Sequence, residues 1–276
     1  MSDHNWAQNK HMLVTGASSG IGKEICKRLM GTCRKITMIA RDRDHSLQYT
    51  RDELYAELNS RRKQGEKNLL ETKIESHSFD IRNFAKMQET VRNIYERDKD
   101  QIDLFINSAG GSHLYTTFEN MNYQDIENIF DVNARAPIFW LRELLPYMKK
   151  NELAGIDKKR AHIIFLSSRS GERTLPKLSV YTMAKGTIEK MSEALQKEYA
   201  AHRIVFTLVN PGSINTDFTM HWSSDIQNAH NEESLTVEES VGPILSAISS
   251  QFATNKISYE SVEQWFNEPG VIRNQG

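Results

Sequence analysis

Short apolar runs alternate along this chain with longer stretches of mixed polarity. His11-Met12-Leu13-Val14-Thr15 has the length and character of a strand, and Ile21, Ile25 and Leu29 follow it at helical spacing. Ile36-Thr37-Met38-Ile39-Ala40 is a second apolar run. Later runs, Ile74 to Phe79, Ile102 to Asn107, His162 to Leu166 and Ile204 to Val209, predict four more strands. Stretches near 83–98, 119–150 and 179–201 predict helices between them. Such alternation predicts parallel strands joined by crossover helices. The strands are continuously apolar, as expected when a sheet is covered on both faces. The expected fold class is therefore α/β, a doubly wound parallel sheet in a single domain over residues 1–276.

Two stretches stand apart from that pattern. Residues 42–73 are charged and helix-prone, as in Arg51-Asp52-Glu53-Leu54-Tyr55-Ala56-Glu57-Leu58, and read as a lengthened crossover. Residues 213–235 are rich in Ser, Asn, His and Asp with little periodicity, and read as a lid over a ligand site.

Composition narrows the function classes. Lys plus Arg is 35 and Asp plus Glu is 36, a net charge of −1. That balance gives no electrostatic reason to expect a nucleic acid or an anionic membrane as partner. Arg61-Arg62-Lys63 is surrounded by acids and reads as a solvated helix face. Two cysteines, Cys26 and Cys33, are too few for a disulfide framework and fit a reducing, cytoplasmic setting. The polar opening Met1-Ser2-Asp3-His4-Asn5-Trp6 is unlike a signal peptide. The apolar run at Ile138-Phe139-Trp140-Leu141 stops at Arg142-Glu143, far short of the roughly 20 residues a membrane helix needs. The nine histidines form no metal-ligand pattern, so no catalytic metal is expected.

The first strand runs into Thr15-Gly16-Ala17-Ser18-Ser19-Gly20-Ile21-Gly22, where the first helix begins. A tight strand-to-helix turn needs residues that tolerate unusual dihedrals. A phosphate at a helix N-terminus needs backbone N–H groups with no side chain in the way. The last glycine lets helix and strand pack closely.

This turn resembles the cofactor turn of the classical short-chain dehydrogenase/reductase family, and the likeness continues in order along the chain. Asp80-Ile81 follows the third strand, where the family places an acid near the adenine. Asn107-Ser108-Ala109-Gly110 is similar to the family's NNAG, with Ser108 replacing the second asparagine. Asn133 in Asp131-Val132-Asn133-Ala134 resembles its helix asparagine, and Tyr181-Thr182-Met183-Ala184-Lys185 its YxxxK. Ser168 ends the fifth strand, and Pro211-Gly212-Ser213-Ile214-Asn215-Thr216 resembles PGxxxT after the sixth. From about Ser223 onward no family pattern matches, so a seventh strand is not predicted.

The resemblance implies a Rossmann-type fold and an NADP(H) site built from Gly16, Ser18, Ser19, Gly20, Ile21, Arg41, Asp80, Ile81, Asn107, Ala109, Gly110, Tyr181, Lys185, Pro211, Gly212, Ile214 and Thr216. It implies Asn133, Ser168, Tyr181 and Lys185 as the catalytic set. The chemistry agrees. Carbonyl reduction needs a proton on oxygen, and a free tyrosine has a pKa of about 10. A nearby cation favours the phenolate. Lys185 lies four residues after Tyr181, on the same helix face. Ser168 can stabilise charge developing on the substrate oxygen. Ser167 competes for that role; adjacent strand residues face opposite ways, and the family resemblance, whose serine-to-tyrosine spacing is matched by the thirteen residues from Ser168 to Tyr181, implies Ser168. Asn133 is expected to hold a water beside Lys185.

An NAD-selective site carries an acid at the end of the second strand. Here Ala40-Arg41 stands there, and an arginine suits the 2′-phosphate of NADP, with Arg43 beside it and Asp42 as a complication. Arg169, Ser170, Gly171, Glu172 and Arg173, together with Gly111, Ser112 and His113, are expected near the substrate. An arginine there suits an anionic substrate, but capping a helix or pairing with Glu172 is the preferred reading. Phe218 and Trp222 are expected in the lid. The chain thus reads as an NADP(H)-dependent oxidoreductase acting on a small carbonyl or alcohol, most simply a carbonyl reductase. The competing reading is a regulator that senses NADP(H) without chemistry. The family likeness also implies a homodimer or homotetramer.

Overall fold

The computed structural model describes residues 6–41, 45–153, 159–172, 174–216, 224, 234–249 and 256–259. Its centre is a parallel sheet of seven strands: β1 (His11–Thr15), β2 (Lys35–Ala40), β3 (Lys73–Ser78), β4 (Leu104–Asn107), β5 (Ala161–Leu166), β6 (Ile204–Pro211) and β7 (Lys256–Tyr259). Their spatial order is β3-β2-β1-β4-β5-β6-β7, so the chain reverses direction across the sheet between β1 and β4. In such sheets ligands bind outside the carboxyl ends of the strands at that reversal.

Helices α1 (Gly20–Leu29), α2 (Ser46–Lys63) and α7 (Val237–Ser249) bring Ile25, Leu54 and Ile244 to the core on one face of the sheet. Helices α3 (Phe84–Arg92), α5 (Ala136–Met148) and α6 (Ser179–Tyr199) bring Val91, Trp140 and Ile188 to the core on the other. The strands supply both cores alternately. On β1, Met12 and Val14 belong to the first and Leu13 to the second. This two-sided cover is the physical reason the inner strands β1, β4, β5 and β6 are largely apolar, whereas the edge strand β3, Lys-Ile-Glu-Ser-His-Ser, is polar and partly exposed.

The sequence reading needs several corrections. Within residues 42–73 the crossover from β2 to β3 carries the helix Ser46–Lys63, with Leu47, Leu54 and Leu58 packed inward. The third strand starts and ends one residue earlier than expected, at Lys73–Ser78. The helical stretch around 119–150 is α4 (Tyr123–Phe130), a wide π turn at Asp131–Arg135, and then α5. Pro137 explains the interruption, because it has no N–H to give to the carbonyl of Asn133 four residues back. The N–H of Ala136 instead reaches the carbonyl of Asp131, five residues back. A seventh strand exists and pairs in parallel with β6, Leu208 opposite Lys256. Among the described residues no helix is long and apolar enough to cross a membrane.

Candidate active site

The loops at the carboxyl ends of β1 and β4 meet across the point of reversal. Gly16 and Gly20 have φ of 71° and 53°, in the left-handed region that suits glycine. A Cβ on Gly16 would stand 2.8 Å from the backbone of Ala109. A Cβ on Gly22 would stand 2.3 Å from the carbonyl oxygen of Gly16. Only bare backbone therefore fits between α1, its turn and the loop after β4. Thr15 stitches the two strand ends, its hydroxyl lying 3.3 Å from Asn107 Oδ1 and accepting the Ala109 N–H at 3.3 Å. Ser19 caps α1 without a side-chain hydrogen bond, so no side chain of the cap stands over the first-turn N–H groups. Ser18 turns its carbonyl to the Thr50 hydroxyl of α2 at 3.1 Å, and Ile21 packs partly buried against the core.

Arg41 is exposed just past β2. Asp80 follows β3 and lies below the usual carboxylate range, chiefly because Arg82 donates to it, with the charge of Arg41 contributing. Arg82 uses both its backbone N–H and Nε on Asp80 Oδ1, each at 2.9 Å, and Nη2 on Oδ2 at 2.8 Å. Ile81 beside them is buried in the second core. Asp42 and Arg43 lie outside the described residues.

Ser168, Tyr181, Lys185 and Asn133 come together beside the loop after β4. Ser168 caps a short 3-10 turn, Arg169–Gly171, by accepting the Ser170 N–H at 3.1 Å. It also hydrogen-bonds Tyr181, which favours the phenolate. Ser167 Oγ is buried without a hydrogen-bond partner among the described residues. Tyr181 and Lys185 are one turn apart on α6, with Nζ 5.5 Å from the centre of the tyrosine ring. Burial raises the Tyr181 pKa above its ordinary 10, and the Ser168 contact opposes this only in part. The lowering expected from Lys185 is not seen: burial dominates, and Ser168 is the group that opposes it. Lys185 is itself pushed down to about 8 by burial, and its Nζ donates to the Leu166 carbonyl at 2.9 Å.

Asn133 sits in the π turn and is spent on backbone. Its Nδ2 donates to the carbonyls of Gly111 at 2.7 Å and Ile129 at 2.8 Å, and its Oδ1 accepts the Gly111 N–H at 2.9 Å. It clamps the glycine loop, and neither amide hydrogen is left to hold a water. A Cβ on Gly110 would meet Asn133 Oδ1 at 2.8 Å and Lys185 Nζ at 3.1 Å.

The segment after β6 comes back to the glycine turn. Pro211 is its last residue, Gly212 follows, and Ile214 pairs with Leu235 in an isolated bridge. The Thr216 methyl lies 3.5 Å from where a Cβ on Gly20 would stand, which brings the PGSINT segment onto the glycine turn. Phe218, Trp222 and most of the expected lid, with Arg173, lie outside the described residues. Arg169 pairs with Glu172 at 3.2 Å, the reading preferred from sequence over an anion site. His113 is 3.1 Å from Asp125 of α4.

The residues from 10 to 227 match the family model of the short chain dehydrogenases. The chain belongs to that family. A 3-ketodihydrosphingosine reductase of Dictyostelium discoideum is 29% identical over 211 residues, 76% of this chain. The match spans only 61% of that relative's length. A short chain dehydrogenase of Shigella flexneri complexed with NADP superposes with a TM-score of 0.73 at 17% identity, covering 93% of this chain and 99% of that one. A 3-ketoacyl-(acyl-carrier-protein) reductase of Brucella melitensis complexed with NADH gives 0.74 at 20% identity, covering 91% and 96%. The two structures show the shared fold, and this short chain dehydrogenase is an oxidoreductase of a family that binds nicotinamide cofactors.

Sequence reasoning left out Thr15 and Arg82. Thr15 directly precedes the glycine turn and was within reach. Arg82 holds Asp80 two residues back, but its further bond, to Asn128 Oδ1 at 2.8 Å, joins it to an element that only the fold brings near.

Proposed function

We propose that this protein is an NADP(H)-dependent carbonyl reductase in which Tyr181 is the proton donor. One observation carries the reading. The loop 108–110 is gripped between the glycine turn, at Gly16, and the Asn133–Lys185 pair, at Gly110, so the turn and the Tyr181–Lys185 helix meet on one loop. The bare backbone of Gly16 and Gly22, the α1 N-terminus and the exposed Arg41 fit a phosphorylated dinucleotide. When bound, the nicotinamide supplies or takes the hydride.

The chain's own groups do the rest. Burial keeps the Tyr181 phenol protonated, as a donor to a substrate oxygen must be. Ser168 hydrogen-bonds that phenol and stabilises the charge left when the proton goes. Lys185, with a pKa of about 8, is largely an ammonium at neutral pH and adds positive charge on the same helix face. Asn133 holds the floor of the cleft in place. Tyr181 lies in an apolar group with Ile129, Leu178 and Val180, flanked by Tyr115 and Phe130. That surrounding, with the name borne by the Dictyostelium relative, supports long-chain 3-oxo compounds as well as small aldehydes, diketones, quinones, steroids and pterins as substrates to test. We place the enzyme in the cytoplasm as a homodimer or homotetramer, the exposed Tyr123 and Phe139 of α4 and α5 supporting a covered helical face.

The test is NADPH and NADH titration by fluorescence, then NADPH oxidation across that panel, with Tyr181→Phe alongside. Turnover of one class, lost about a thousandfold or more in Tyr181→Phe while NADPH binding holds, is the expected result. Substantial turnover by Tyr181→Phe would remove Tyr181 as donor. Tight NADPH binding with no turnover anywhere would favour the sensing role instead.

A further inference from the structure

Lys256 opens β7, outside any family pattern in the sequence, yet its ammonium reaches back under the catalytic segment. It pairs with Glu172 at 2.9 Å and with Glu189. The two carboxylates come from different elements. Glu172 directly follows the 3-10 turn that Ser168 caps, and Glu189 lies on α6 one helical turn beyond Lys185. Arg169 of the same 3-10 turn also holds Glu172, at 3.2 Å. Turn and helix touch at Gly171: a Cβ there would stand 3.3 Å from Glu189 Oε2 and 3.5 Å from the Lys185 Cβ. Two cations and two anions thus close the space behind Ser168 and Lys185.

We propose that Lys256 is a positioning residue, which sets the Ser168–Tyr181 contact by tying the serine turn to α6 through Glu172 and Glu189. The inference rests on the reading of Ser168 and Tyr181 as the proton-transfer pair. A three-residue 3-10 turn has little stiffness of its own. Glu189 has a side chain only 9% exposed, and its Oε2 has no hydrogen-bond partner among the described residues. A buried carboxylate of that kind depends on its counter-charge. Without Lys256, Glu172 and Glu189 become like charges on the two surfaces that must stay in register, and repulsion pushes the turn away from α6. A displacement on the order of 1 Å at a reacting group costs up to about a hundredfold in rate.

The experiment compares Lys256→Met, Lys256→Arg and the double variant Lys256→Met/Glu189→Gln. It uses the full chain, with kcat, KM, NADPH binding and thermal unfolding measured on each. Lys256→Met is expected to lower kcat by roughly tenfold to a hundredfold, with NADPH affinity held within about twofold because the glycine turn lies across the cleft. Lys256→Arg should retain most of kcat. Adding Glu189→Gln to Lys256→Met should restore much of what was lost, because the buried charge goes too. Should Lys256→Met not fold, the double variant, which leaves no unpaired buried charge at Glu189, carries the test: it should fold and keep much of the wild-type kcat, and a double variant that also fails to fold would mark Lys256 as merely structural and overturn the proposal. The proposal fails if Lys256→Met keeps kcat within twofold. It fails equally if kcat, NADPH binding and thermal stability drop together and the double variant restores none of them, which would be a merely structural role. A wild-type protein that binds NADPH but reduces nothing would sink the proposed function itself, a result separable from an active enzyme indifferent to Lys256.

Discussion

At the scale of single residues, Tyr181 and Lys185 show how burial changes a motif. In water a lysine four residues from a tyrosine leaves both near their ordinary pKa values. Here burial raises the phenol and lowers the ammonium to about 8, so each shifts toward its neutral form. The same motif on an exposed helix would have neither shift, and spacing alone could not reveal them. Arg41 makes the opposite point, since its value lies in exposure. At the end of β2, its charge felt by Asp80, it is the cation that the proposed NADP(H) site would set against a 2′-phosphate. Arg41→Ala is expected to weaken NADPH roughly tenfold to a hundredfold, the worth of a charge-assisted bond, while NADH changes little. Paired fluorescence titrations check this, and equal losses for both cofactors would move the 2′-phosphate site elsewhere.

At the scale of elements, the glycine turn and the π turn both depend on an atom that is missing. Gly22 has no Cβ, and the atom it would otherwise carry falls 2.3 Å from the backbone oxygen of Gly16. Gly22→Ala must therefore push α1 off its turn, at a cost of about 1–3 kcal/mol. Thermal unfolding should drop by about 2–4 °C for each kcal/mol, and NADPH should bind more weakly. An unchanged midpoint and affinity would mean that the helix can shift freely. Pro137 lacks an N–H, and the wide turn it brings places Asn133 where its amide meets the loop after β4. The order of strand, turn and helix was readable from residues 11–29, and so was the pairing of YxxxK on one helix. The π turn was not, because a proline near a helix start signals nothing about which register the backbone takes upstream.

Across the whole molecule, the sheet buries polar groups that tune stability. His162 in the middle of the sheet is 1% exposed, shares a 2.9 Å hydrogen bond with Thr207, and meets the edge of Trp6. Burial pushes its pKa down to about 3. Above about pH 6.5 it is neutral folded or unfolded, and its contribution is complete. As pH falls from there toward 3, the unfolded chain takes up a proton that the folded one refuses, and stability is lost. From pH 6.5 to 5.0 this amounts to about 2 kcal/mol. Urea unfolding at pH 7.5 and 5.0 should show a smaller acid loss in His162→Gln than in the wild type. His11 and His77, also lowered by burial, supply the loss that remains. Identical pH slopes would show that His162 does not contribute.

By itself the sequence determined the class of fold and the motifs of the site. Both are written in short-range order: apolar period, glycine placement, and tyrosine and lysine one helical turn apart. The strand order, the seventh strand and the charges around Lys256 were decided only by the tertiary structure. Lys256 stands 67 residues from Glu189 along the chain, and nothing in the intervening sequence encodes their meeting. It follows from β7 lying beside β6, a contact that exists because the sheet edge must be paired and the apolar faces covered. The tuning of Tyr181, Lys185 and His162 belongs to the same level, because desolvation is a property of everything packed around a group rather than of the group or its neighbours in sequence.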